Sequence, residues 1–79
     1  MKLLIRNLDR SITEDELKKL FGGHGAVQSC DVVLDKATGE SKGFAFVEMP
    51  KRKEASSAIK ALNGKTVANK IIRVKKAID

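Results

Sequence analysis

Two stretches of this chain repeat their apolar residues at helix spacing and four have the character of strands, in the order βαββαβ. Leu3-Leu4-Ile5 reads as a short first strand, closed by Asn7-Leu8-Asp9. Thr13-Glu14-Asp15-Glu16 is a capping box, with a hydroxyl residue first and a glutamate three later. It opens a helix whose Leu17, Leu20 and Phe21 follow the i, i+3, i+4 rule and which Gly22-Gly23 ends. Val27 to Leu34 reads as a second strand, 35–41 as a polar loop, and 42–49 as a third strand stopped by Pro50. Glu54 to Asn63 reads as a second helix with Ala55, Ala58, Ile59 and Leu62 on one stripe, ended by Asn63-Gly64. Lys70 to Lys75 is the fourth strand, with Ile72 and Val74 on one face. This order predicts an α+β, ferredoxin-like sandwich: a four-stranded antiparallel sheet with two helices on one face. The 79 residues allow one core and one domain, 1–79. Two helices cover only one face of such a sheet, so the other must meet solvent or a partner.

Strand alternation decides what that open face carries. Lys42-Gly43-Phe44-Ala45-Phe46-Val47-Glu48-Met49 sends Val47, Met49 and the small Gly43 and Ala45 inward, and Lys42, Phe44, Phe46 and Glu48 outward. The first strand adds Lys2, Leu4 and Arg6, the second Asp31 and Val33, the fourth Ile71, Arg73 and Lys75. Two of the chain's three Phe, with no Tyr or Trp elsewhere, therefore share a face with five cations and two acids. A one-residue slip would turn the rings inward only by burying Lys42 and Glu48, which is costly. The charge distribution agrees. Residues 1–50 balance at −1 and residues 51–79 at +7, so the basic end delivers its cations beside the rings. Rings beside cations on an open sheet suit single-stranded nucleic acid, whose bases stack and whose phosphates seek positive charge.

Other functions find little to stand on. Cys30 has no partner for a disulfide and falls in an apolar stretch, as a buried thiol would. His24 lies in the Gly22-Gly23-His24-Gly25 loop without a second ligand residue, and that loop follows a helix where a phosphate loop would precede one. No Ser/His/Asp or Cys/His arrangement is present, and no Cys-x-x-Cys pair, so no enzyme, metal or cofactor is expected. Asp31 and Glu48 read as acids that temper the positive field or accept from base amino groups. Lys51-Arg52-Lys53 reads as a solvated charge run ahead of the second helix. No apolar run approaches the roughly 20 residues of a membrane span, and no signal peptide is visible, so a reducing cytoplasm is the expected setting.

The residues 42–49 resemble the octamer of the RNA recognition motif, Lys/Arg-Gly-aromatic-Gly/Ala-aromatic-aliphatic-any-aromatic. Leu3-Leu4-Ile5-Arg6-Asn7-Leu8 is similar to that family's hexamer, 35–41 to its loop, and Ala55, Ala58, Ile59, Leu62, Asn63 and Gly64 to its second helix. The resemblance runs from about residue 2 to residue 77. It implies that Phe46 stacks on a base, that Phe44 packs against a sugar or a neighbouring base, and that Lys42 pairs with a phosphate. Strand alternation and charge, rather than the resemblance, add Arg73 and Lys75 to guide the backbone at the sheet edge, and Lys2, Leu4 and Arg6 complete the expected RNA-binding set. Two departures stand out: the hexamer's usual aromatic is Leu4, which lacks a π-face, and the octamer's last aromatic is Met49, which faces the core. The implied partner is single-stranded RNA, with single-stranded DNA a second candidate and a monomer the expected state. The alternative is a protein-interaction module, suggested by the aliphatic Leu4, Val33 and Ile71. The compact chain resembles the small single-motif RNA-binding proteins of bacteria.

Overall fold

A computed structural model describes residues 1–77; Ile78 and Asp79 lie outside the described residues. The first five elements are β1 (Lys2–Arg6), α1 (Glu14–Gly22), β2 (Ser29–Leu34), β3 (Ser41–Glu48) and α2 (Arg52–Leu62). Three short strands follow: β4 (Thr66–Val67), β5 (Lys70–Ile71) and β6 (Arg73–Lys76). The main sheet has the order β2-β3-β1-β6 and every pairing in it is antiparallel. The expected ferredoxin-like fold is present, with both helices on one face.

Alternation builds the core. Leu3 and Ile5 of β1, Cys30 of β2, Ala45 and Val47 of β3 and Val74 of β6 all point to the helix side. They meet Leu17 and Phe21 of α1 and Ala55, Ala58 and Leu62 of α2. Thr13 caps α1 as its sequence predicts, its Oγ1 accepting from the Glu16 amide at 3.3 Å.

The two outer strands are each tied to a helix by one side chain. The Val32 amide of β2 donates to Glu14 Oε2 at 3.1 Å, from the first turn of α1. The Val74 amide of β6 donates to Asn63 Oδ1 at 3.0 Å, from the end of α2.

Several boundaries differ from the sequence reading. β2 begins at Ser29 rather than Val27, and β3 runs from Ser41 to Glu48 rather than from Lys42 to Met49. Helix α2 begins at Arg52, so Arg52 and Lys53 form its first turn instead of preceding it; Lys51 is the N-cap and makes no side-chain capping bond. The expected fourth strand is two. Lys70 and Ile71 pair with Thr66 and Val67 in a separate hairpin, and only Arg73–Lys76 joins the main sheet. Ile71 is therefore not in the rows of the open face, although it is 53% exposed. The hairpin turns through Ala68 and Asn69, whose φ values of 51° and 69° are those of a two-residue primed turn.

A bulge lies at the start of β3. Val32 pairs with Ala45 and Leu34 with Ser41, so two steps along β2 oppose four along β3. Gly43 makes this possible with φ +85°, its amide donating to Ser41 Oγ at 3.1 Å and its carbonyl accepting from the Leu8 amide at 2.8 Å. A Cβ there would stand 3.3 Å from the Leu8 carbonyl oxygen. Gly43→Ala should cost about 1–2 kcal/mol, since a left-handed backbone is unfavourable for any other L-residue. Urea denaturation should show a lower midpoint at unchanged slope. An unchanged midpoint would contradict this account of the bulge.

Candidate nucleic-acid interface

Residues opposite each other in an antiparallel pair share a face, so the registers lay the open side out in rows. The central row runs Asp31, Phe46, Leu4, Lys75 across β2, β3, β1 and β6. On one side of it lies the row Ser29, Glu48, Lys2. On the other, Arg6 of β1 stands opposite Arg73 of β6. Phe44, Phe46 and Leu4 are half-buried while Lys2, Arg6, Lys42, Arg73 and Lys75 are exposed. All eight residues singled out in the sequence lie on this side of the sheet or along its rim.

The two rings differ in pose. Their centroids are 6.3 Å apart with planes at 89°, an edge-to-face pair. A flat ligand lying on Phe46 thus meets Phe44 at an angle and cannot stack on both in one plane. Lys2 Nζ sits 4.8 Å from the Phe46 centroid, a cation–π contact worth about 0.5–1 kcal/mol at an exposed site. The long lysine stem is free to move aside for a ligand.

Charge divides the face into two ends. Glu48 lies 3.8 Å from the Met1 ammonium and opposite Lys2, so the β3 C-terminal end is near neutral. The other end is uncompensated. Among the described residues, none of Arg6, Lys42, Lys70, Arg73 and Lys75 has an acid within ion-pair distance. Arg6 opposite Arg73 is a like-charge pair, unfavourable unless an anion joins it.

Three residues at that end were not singled out by the sequence reading. Asn7, at φ +56°, donates from Nδ2 to the Ile71 carbonyl at 2.7 Å and holds the β4–β5 hairpin against the end of β1. That contact brings Lys70 beside Arg6 and Arg10. Asp9 is nearby; hydrogen bonds from the Ser11 hydroxyl and amide, then Lys70, hold its carboxyl below the usual range. No signal short of the hairpin pairing could have found Lys70.

The remaining candidates stay structural. Burial, and then Glu14 close by, push the Cys30 thiol up to about 11, which suits a packing residue and not a nucleophile. No group of three or more His, Cys, Asp or Glu residues that could hold a metal occurs among the described residues. A hollow of about 820 Å³ lies off the open face, where Ile12, Val32 and Leu34 meet Glu14 and Glu40.

A family model described as RNA recognition motif matches residues 3–73. A Sex-lethal homolog from Chrysomya rufifacies is 49% identical over 61 residues, 77% of this chain, which spans 20% of that relative's length. The crystal structure of RNA Binding Protein PG1 superimposes with a TM-score of 0.96 at 35% identity, covering 100% of this chain and 95% of that one. An Sxl-lethal protein/RNA complex matches at a TM-score of 0.91 and 38% identity, covering 96% and 47%. The sequence relatives are eukaryotic, so the expected resemblance to bacterial single-motif proteins finds no support in them.

Proposed function

We propose that this chain, which belongs to the RNA recognition motif family, binds single-stranded RNA on the open face of its sheet. It is a binding domain and not an enzyme. The observation that carries the reading is the pair Phe44 and Phe46 set at right angles on an uncovered sheet whose far end is cationic and unpaired. Phe46 offers its flat face to a base, and the upright Phe44 ring contacts the adjoining sugar or the edge of the next base. Leu4, in the same row as Phe46, contributes apolar area without stacking. Lys42, Arg6, Arg73 and Lys75 take phosphates, and Lys2 moves from the Phe46 ring to the backbone of the bound strand.

The domain, 1–79, acts as a monomer and holds about two to four nucleotides, in a reducing compartment where Cys30 stays a thiol. Titration of a labelled single-stranded RNA should give a log–log salt slope near −0.7 for each phosphate engaged. Amide shifts should map to β1 and β3. Shifts confined to α1 and α2 would sink the reading. A matched DNA oligonucleotide separates RNA from single-stranded DNA as the partner. The half-buried Leu4 and Val33 favour one other reading, a protein docked on the same face. Recovery of that protein after nuclease treatment would support it.

A further inference from the structure

The end of the sheet beyond Phe44 holds a cavity of about 290 Å³ that the stacking account does not use. It is lined by Arg6, Asn7, Leu8, Arg10, Lys42, Gly43, Phe44 and Lys70. Four of these are cations and none is an acid. They come from four places in the chain: β1, the loop after it, the bulge of β3 and the β4–β5 hairpin. Two hydrogen bonds hold them together, one donated by a side chain and one by the backbone. Asn7 ties the hairpin to β1 through the Ile71 carbonyl, and the Leu8 amide ties the loop to Gly43. A second hollow, lined by Arg6, Asn7, Arg73 and Lys75, adjoins it through Arg6 and Asn7, and again contains no acid. The nearest acids lie outside the lining, each facing one of its cations: Asp9, bonded to Ser11, is in the field of Lys70, and Glu40 reaches Arg10 at 3.6 Å with both side chains largely exposed.

Like charges gathered around one hollow repel, and the Asn7 and Leu8 hydrogen bonds hold their elements together against that repulsion. Such a site is completed by an anion. Phosphate fits the donors, since guanidinium forks match its oxygens and ammonium groups supply point charge. We propose that Arg6, Arg10, Lys42 and Lys70 form a phosphate-binding pocket that seats one phosphate group of the bound strand beside Phe44. The proposal rests on the RNA reading for the source of the phosphate, but the pocket's affinity for phosphate does not. Arg10 and Lys70 are its distinguishing members, because no strand alternation places them there. Glu40 competes for Arg10 and weakens the site.

The test has two arms. In the first, pyrophosphate alone is titrated into the wild-type chain and into Arg10→Gln/Lys70→Gln, with amide resonances followed by NMR. Shifts should concentrate at Asn7, Gly43 and Lys70 in the wild type. They should saturate at several-fold lower concentration than in the double variant, and Glu40→Gln should bind tighter than wild type. Both variants change exposed side chains, so folding is retained. Shifts spread evenly over exposed lysines such as Lys51 and Lys53, or unaltered by the double variant, would overturn the pocket.

In the second arm, RNA binding by the double variant should lose about 0.7 from the magnitude of the wild-type salt slope, the share of one phosphate. A strand that gains affinity from a terminal phosphate places a phosphomonoester in the pocket. One that loses affinity only on methylphosphonate replacement of an internal linkage places a phosphodiester there; either outcome supports the site. An unchanged slope, with the wild type still binding RNA, overturns the pocket and leaves the RNA reading standing. Pyrophosphate binding without RNA binding would do the reverse.

Discussion

Phe44→Ala/Phe46→Ala should lose about 30-fold or more in RNA affinity while melting close to the wild type. Truncating a stacking ring costs about 1–3 kcal/mol per base, and each 1.4 kcal/mol is tenfold. Both rings lie on the side of the sheet opposite the core, half-buried against each other, so their loss opens no interior cavity. The salt dependence supplies a control. Phosphate contacts belong to Arg and Lys residues, so the slope against log salt should stay near the wild-type value even as affinity falls. The single variants should differ. Phe46→Ala removes the flat platform, whereas Phe44→Ala removes an upright ring and should cost less. Affinity of the double variant within threefold of wild type would end the stacking account.

The second large effect concerns stability. Phe21 is fully buried and is the largest side chain in the core, projecting from the last turn of α1 toward the sheet. Phe21→Ala should cost about 3–5 kcal/mol, the transfer of a ring plus the cavity left behind. A domain of this size has about 5–15 kcal/mol in all, and small ones fall at the low end. At about 4–8 °C per kcal/mol, the melting temperature should drop by at least about 12 °C. Phe21→Leu, which refills much of the space, should recover most of the loss. An Ala variant melting within a few degrees of wild type would mean that α1 is held by other contacts.

The difference between these two phenylalanine sites was legible in the sequence because helix and strand have different periods. Phe21 falls on the stripe with Leu17, and Phe44 and Phe46 fall on the charged side of an alternating run. The fold followed from the order of those periods, and the capping box placed the start of α1 within a residue. The start of α2 did not show because Lys51 supplies no side-chain cap; the first turn is polar and reads as loop. The β4–β5 hairpin was illegible for a related reason. Its turn is Ala68-Asn69, both left-handed, without the glycine that usually marks such a turn, and Lys70 to Lys75 reads as one strand.

The consequence for the interface is specific. Alternation within a strand laid out the rows of the open face except at Ile71, which pairs in the separate hairpin. Arg10 and Lys70, brought in by a loop and that hairpin, had no strand pattern to place them. Lys70 is positioned by one hydrogen bond from Asn7 to Ile71, a contact across 64 residues, and the loop carrying Arg10 by the Leu8 amide on Gly43. No local pattern encodes either contact.

The ties from Glu14 to β2 and from Asn63 to β6 bear on how the chain behaves in a crowd of its own copies. An open sheet ends in two strands whose free amides can template a further strand from another molecule. Here one outward amide on each border is already occupied, at Val32 by a carboxylate and at Val74 by an amide oxygen. An incoming strand would have to displace an acceptor that is fixed to a helix, at both borders independently. The same two bonds that dock the helices therefore discourage amyloid-like stacking and strand exchange between molecules, leaving the flat face as the surface on which a long polymer is received.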